Sequence, residues 1–303
     1  MSSSPSSKPG EYGFPLPPSA TAGLKAGRKP RSQALWDRKA AGLSILRDQL
    51  SLEYWLLIGA TVQALLVLVV PALWKTPAVM PVLALATWKA LQAILYVSSY
   101  KPGNDNVIRA KLGATMEHDV KSDGGICLLI LGTRSYHPLG ILAPGFKDLG
   151  DYLNSMLKVL ESNSEEYDFL GYESCVDTSQ PRSNALKSHY YFRSYEGLHK
   201  FAHSEVHRQG WNWWNKTLKQ YPHLGIFHET YHSPAGHWEA IYGNFELSGI
   251  GATVFPYTTP SGEKVWRSPM ERADVGRLRT SKGRMLRTDG DDNDHIELPA
   301  DGY

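Results

Sequence analysis

The chain has 303 residues and a formal net charge of +2. That length fits two modest domains or one domain with long extensions, and so small a charge makes no electrostatic case for nucleic acid as a partner. Its two cysteines, Cys127 and Cys175, are no disulfide framework and suit a reducing compartment, each expected buried in a strand.

Four units follow one another. Residues 1–50 form a basic N-terminal segment. Its first part is rich in Ser, Pro and Gly, too poor in large apolar side chains to offset the entropy of ordering, so it is expected to be disordered. Residues 51–100 read as a transmembrane helical hairpin. Tyr54–Trp74 carries no charge, and about 20 such residues cross a hydrocarbon core. A second apolar run, Ala78–Ser98, carries one charge, Lys89, and only Lys75, Thr76 and Pro77 separate the two. Trp55, Trp74 and Tyr96 stand near segment ends, as interfacial anchors do. Lys25, Arg28, Lys29, Arg31, Arg38, Lys39 and Arg47 precede the first run. The positive-inside rule then puts both the N-terminus and the following domain in the cytosol. The expectation is a multi-pass protein of the endoplasmic reticulum membrane, with the lipid bilayer as a partner.

Residues 101–255 read as an α+β domain. Ile126–Leu131 is a continuous apolar run suited to a buried strand, and Phe146–Leu160 has apolar residues at helical spacing. Phe169–Val176 and Lys187–Arg193 predict two further strands. Tyr195–Tyr221 predicts one long helix with Ser194 as its N-cap. Ile226–His232 predicts a fourth strand, and Trp238–Phe245 a further extended segment. The β-α-β-β-α-β order is ferredoxin-like. Such a sheet leaves one face open, and two sheets pairing face to face would close it as a dimeric α/β barrel, so a homodimer is expected. Residues 256–303 have a basic part, Arg267–Arg287, and an acidic part, Asp289–Glu297, and read as a flexible, solvated tail, with contact of the basic part to anionic lipid the alternative.

The chemistry concentrates in one window. His189, His199, His203, His207, His223, His228, His232 and His237 are eight of the eleven histidines. At about 100° per residue His199, His203, His207, Trp211 and Trp214 form a stripe beside the apolar face of the long helix. In the HETYH strand His228, Thr230 and His232 point one way, Glu229 and Tyr231 the other. In the next segment Trp238, Tyr242 and Asn244 share a face. The expected site is His207, His228 and Glu229 as catalytic groups, with His203, Trp211, Trp214, Tyr231, Tyr242 and Asn244 around the substrate. A structural reading competes at every position: interface histidines, core tryptophans, a partly exposed His199. No HExxH or Cys/His zinc spacing is present, so no metal site is expected. No GxGxxG after a strand, P-loop or GxSxG elbow supports nucleotide-driven or serine-hydrolase chemistry.

The stretch YFRSYEGLHKFAHSEVHRQGWNWWN, followed by HLGIFHETYHSPAGHWEAIYGNF, resembles the monooxygenase-like dimeric α/β-barrel proteins of fungal secondary-metabolite clusters. These are relatives of the antibiotic-biosynthesis monooxygenases. The resemblance covers roughly residues 125–255 and rests on FAH-x3-HR-x-GW and GI-x-HE-x-Y. It implies a membrane-bound monooxygenase that oxygenates or oxidatively cleaves a hydrophobic polyketide or terpenoid. Members of the wider superfamily either use no cofactor, the substrate carbanion reducing O2 in a dry pocket, or bind haem through an axial histidine, as aldoxime dehydratases do. The cofactor-free form is favoured, with haem the alternative: His207 or His228 would be the general base, or the axial ligand of haem, and Glu229 would orient a histidine. A haem-dependent lyase and a non-catalytic lipid-tethered binding protein are the rival readings.

Overall fold

A computed structural model of the chain describes residues 52–99, 108–116, 124–177, 185–258, 261–274 and 276–287. Residues 1–50, with their expected disorder, lie outside it, as do residues 288–303.

Two helices come first: α1 (Leu52–Val69) and α2 (Ala72–Ser99). The expected break at Lys75–Pro77 is not where the chain bends. Val70 N–H still donates to the Leu66 carbonyl at 2.9 Å, and the break falls at Val70–Pro71, where proline has no N–H and disfavours helical geometry in the residue before it. Among the described residues α1 alone is long and apolar enough to cross a membrane; the apolar part of α2, Val79–Leu95, is shorter. The two-span hairpin is therefore reduced to one helix with that capacity. No residue of α1 is buried, so it is not a core helix of the domain that follows.

That domain is a four-stranded antiparallel sheet under three helices. A strand of a second sheet, β1 (Ile108–Ala114), precedes it, and its own elements are β2 (Ile126–Ser135), α3 (Phe146–Ser162), β3 (Phe169–Asp177), β4 (Ala185–Phe192), α4 (Tyr195–Ala202), α5 (Glu205–Thr217) and β5 (Leu224–Ser233). The sheet order β3-β4-β2-β5 is the ferredoxin-like arrangement read from the element order. Helix-side positions of the sheet, Cys127, Phe169, Tyr190 and Phe192, form the main core with Leu160, Leu198 and Phe201. Burial pushes the Cys127 thiol up to about 11, so it packs as an inert small hydrophobe. Cys175, expected buried, is exposed. Helix α5 lies close over α3 because Gly210 has no side chain: a Cβ there would come within 2.2 Å of Met156 Cε.

The long helix expected over Tyr195–Tyr221 is two. Ser194 Oγ accepts from Gly197 N–H at 3.0 Å as expected of a cap. The chain then leaves helical geometry at His203, and Ser204 caps α5 by accepting from His207 N–H at 3.4 Å. Serine competes with the helix for its own backbone, which favours caps over helix interiors.

The expected tail also folds, up to Arg287. The remaining elements are β6 (Ile241–Phe245), β7 (Phe255–Thr258), β8 (Lys264–Arg267), β9 (Met270–Arg272) and a short helix α6 (Ser281–Arg284). β1 pairs with both β6 and β9 to make a second sheet, and β7 pairs with β8. Leu112, Ala114, Leu247, Ile250 and Met270 form its core, against Ile126 and Tyr191 on the outer face of the large sheet. Arg284, read as part of a basic tail, is buried and paired with Glu239 at 2.9 Å. Low apolar content hid this unit because its few large residues, Phe255, Trp266 and Met270, are nearly all buried.

Candidate functional site

Strand alternation decides which side chains meet. Leu129 pairs with Tyr190 on β4 and Thr230 on β5, and Leu131 pairs with His228. These residues share the helix-facing side of the sheet. Opposite them stand Tyr152, Leu153 and Met156 of α3, and His207, Gly210, Trp211, Trp213 and Trp214 of α5. A cavity of about 280 Å³ lies between the two layers. It opens along β5, the edge strand, where His228, Thr230 and Trp211 are exposed. Among the described residues none that line it is Asp, Glu, Lys or Arg. Its polar groups are imidazoles, hydroxyls and indole N–H groups.

His207 is the half-buried member of the histidine pair. Burial holds its imidazolium below the usual histidine range; the Ala202 carbonyl opposes this, and the nearness of His228 and His203 adds to the depression. This favours the neutral ring, which meets the edge of Phe201, centroids 5.9 Å apart. Trp213 is fixed by Tyr152 (5.2 Å) and Tyr221 (6.4 Å). Tyr190, stacked on Tyr172 at 5.5 Å, has its hydroxyl pushed far up by burial, so it acts there as a neutral donor or acceptor.

Of the expected site residues the cavity brings together His207, His228, Trp211 and Trp214. His199, read as a partly exposed helix residue, reaches its rim. The others lie elsewhere. His203 caps the end of α4, its Nδ1 2.9 Å from the His199 carbonyl, and faces a separate open groove with Glu166, Tyr167 and Lys200. Glu229 and Tyr231 are on the outer face of β5, where the Tyr231 hydroxyl donates to Glu229 Oε2 at 2.8 Å. Tyr242 belongs to the second sheet: its hydroxyl donates to the Ser248 carbonyl at 2.6 Å and accepts from Gly251 N–H at 3.1 Å. Asn244 sits on β6 with φ +47, a backbone position that Asn tolerates better than most residues. So Glu229 cannot orient His207 or His228 from this position.

Sequence reasoning passed over Trp213, Thr230, Tyr190, Tyr152 and Tyr195, all cavity-lining. Thr230 and Tyr190 were within reach of the period-2 rule once a face had been chosen. The α3 contribution had only a helical apolar stripe to announce it, and such a stripe reads as core.

Residues 126–250 match the family model described as Monooxygenase af470-like. Over 256 residues the chain is 26% identical to monooxygenase af470 of Aspergillus fumigatus, spanning 80% of this chain and 90% of that protein. The likeness is to monooxygenases. It supports an oxidoreductase of that type. Among solved structures the chain is similar to SnoaB, a cofactor-independent oxygenase from Streptomyces nogalater, at 6% identity, 35% of this chain, 90% of that one and a TM-score of 0.24. It is also similar to an aldoxime dehydratase in complex with butyraldoxime, at 13% identity, 46% of this chain, 42% of that one and a TM-score of 0.33. At these scores the structural likenesses add nothing to the sequence match.

Proposed function

We propose that the domain is a membrane-anchored monooxygenase that acts, without a cofactor, on a neutral hydrophobic substrate of the polyketide or terpenoid kind in fungal secondary metabolism. The observation that carries this reading is the apolar, charge-free cavity between sheet and helices with two imidazoles on its wall. His207, kept neutral by desolvation, is the base that takes a proton from an acidic carbon of the substrate. His228, across the cavity on the exposed edge strand, passes protons to and from water. The carbanion reduces O2: a C–O bond forms to give a hydroperoxide. The O–O bond then breaks with loss of water, so that CH2 and O2 become C=O and H2O. The indoles of Trp211, Trp213 and Trp214 exclude water and stack on a conjugated substrate. Where the hydroperoxide sits beside a carbonyl, its outer oxygen can instead add to that carbonyl; the O–O and C–C bonds then break together, giving an aldehyde or ketone and a carboxylic acid with no loss of water.

Haem fits the lining poorly. Among the described residues the cavity wall offers no cation to pair with its propionates, so no step is assigned to it. The anchor is α1, with the endoplasmic reticulum as the membrane; the domain is cytosolic provided that α2 returns the chain to the side on which the N-terminus starts. The outer sheet face exposes Phe227 and Tyr231 of β5, and Ile241 and Phe245 of β6 are exposed nearby in the chain. The second sheet covers part of that face, and a second copy of this chain over these exposed apolar residues would give the homodimer.

The test is product analysis under 18O2 in cells that make the pathway intermediates. The expected result is a product carrying 18O with the wild-type chain and its absence with H207A. A Soret band in the purified chain would replace the cofactor-free mechanism by a haem one. An unchanged product profile on deletion would leave only a binding role.

A further inference from the structure

One surface of the domain combines apolar exposure with a largely hydrogen-bonded backbone. The loop from Tyr136 to Ala143 joins β2 to α3. From Ser135 to Phe146 the sequence contains no Asp, Glu, Lys or Arg, and the charged residues that bracket it, Arg134 and Lys147, are both cations. Three large side chains of the loop stand in solvent: Tyr136 is 70% exposed, Leu139 56% and Leu142 68%. None of them packs into the apolar cores.

The loop is not loose. Tyr136 N–H donates to the His223 carbonyl at 2.7 Å, Gly140 N–H to the His137 carbonyl at 2.9 Å, Leu142 N–H to the Leu139 carbonyl at 3.0 Å and Ala143 N–H to the Gly140 carbonyl at 3.1 Å. Side chains supply two more acceptors: Ser135 Oγ for His137 N–H (3.3 Å) and His137 Nδ1 for Leu139 N–H (3.1 Å). Pro138 has no N–H to place. The imidazole of His223 reaches the Pro144 carbonyl with Nε2 at 2.9 Å, which staples the loop to the turn after α5. A loop with unmet N–H groups enters an apolar medium at a penalty, because each costs several kcal/mol there. This one meets six of its seven N–H groups within the domain, which lowers the cost of taking its side chains out of water.

We propose that this loop docks on a lipid bilayer surface, with Leu139 and Leu142 at the level of the acyl chains and Tyr136 at the headgroups. The inference rests on the anchoring reading above. Tyrosine favours that interface, and the flanking Arg134 can extend to the headgroup phosphates, whereas Lys147 is paired with Asp151. Arg134 lies over the Tyr136 ring, 5.7 Å from its centroid, placed to follow it. The geometry of the chain allows the contact: α2, about 42 Å long, and residues 100–107, at most about 29 Å, tether the domain to the membrane that α1 occupies. Docking also places the base of α3, and with it the Leu149 and Leu153 side of the cavity wall, next to the phase in which an apolar substrate is dissolved.

The test uses the full chain in a Cys175→Ser background, reconstituted into vesicles of phosphatidylcholine and phosphatidylserine. An environment-sensitive fluorophore is attached to Leu142→Cys or, as control, to Glu165→Cys. Glu165 lies just past the far end of α3, a helix about 25 Å long. Nitroxide-labelled lipid is expected to quench the label at position 142 several-fold more than the label at 165, with a blue-shifted emission. Equal quenching in chains that float with the vesicles would overturn the loop contact and leave the anchor intact. Shielding from iodide at 142 without lipid quenching would mean a protein cover, such as a second copy, and would overturn it too. Failure of the chain to float with the vesicles would remove the anchoring reading, and this inference with it.

Discussion

The two faces of the four-stranded sheet are made by the same strands, yet they differ in kind. On the helix side Leu129, Leu131, Tyr190, His228 and Thr230 border an apolar cavity. One residue further along each strand the outer face carries Tyr191, Glu229 and Tyr231. There polar groups find partners: His189 Nδ1 lies 3.0 Å from Glu173 Oε1, and Glu173 Oε2 accepts from Gly249 N–H at 2.6 Å. The helix side leaves its imidazoles facing empty space, whereas the outer face ties its titratable groups into the scaffold. Density of histidine along the sequence does not distinguish these situations; the parity of a strand position does.

The sharpest way to break this contrast is to remove the imidazoles on the cavity side. His207→Ala and His228→Ala should each lower product formation by about 100 to 10,000-fold, the usual cost of a lost general acid or base. Circular dichroism should show the fold retained, because neither residue belongs to the buried core. Near wild-type turnover in both would make the cavity side as structural as the outer one.

Stability gives the next contrast. Phe192 on the helix side is wholly buried, and Phe192→Ala should cost about 3–5 kcal/mol in a denaturant titration. Phe227 on the outer face is 41% exposed and lies over Gly132, where a Cβ would come within 2.0 Å of its ring. Phe227→Ala should cost under about 1 kcal/mol in an isolated subunit. If a second copy covers the face, the same variant should instead dissociate the dimer in light scattering.

The pH profile is a smaller effect with a definite sign. Burial lowers the His207 pKa below 6.5 in the folded chain. The neutral base therefore persists to lower pH than a free histidine would, and the acid limb of kcat/KM should fall below pH 6.5. The unfolded chain takes up its proton first. The contribution of His207 to stability is thus full above pH 6.5 and is lost as pH falls from there towards the folded pKa. An acid limb above 6.5 would mean that the base is another group or that the site is wet.

Much of the fold was legible because the periodicities are clean. Ile126–Leu131, Phe146–Leu160 and the HETYH strand announced their elements, and their order gave the ferredoxin-like sheet. The helix break at His203–Ser204 was not, since Ser204 looks like any polar helix residue until its hydroxyl turns to His207 N–H. The second sheet was not either: β1 meets β6 and β9 from far along the chain, and pairing at that separation leaves no local pattern. Of the nine residues expected at the site, the cavity gathers His207, His228, Trp211 and Trp214. The wheel drawn through an unbroken helix carried His203 with them, and Glu229, read on the opposite face from His228, lies on that face away from the cavity.

Glu229→Gln should accordingly do the least. The carboxylate holds the Tyr231 hydroxyl at 2.8 Å on an exposed surface, and exposed polar pairs of this kind contribute about 1 kcal/mol or less. Glutamine keeps a carbonyl oxygen that can accept the same bond, so turnover should stay within about three-fold of wild type and thermal stability should barely move. The substitution separates two accounts of the HETYH strand. If His228 works alone from the cavity side, its neighbour on the other face is free to vary. A loss comparable to His228→Ala would mean that Glu229 reaches a reacting centre across the outer face, which only a second copy could complete. In that case the site would lie between subunits rather than between sheet and helices.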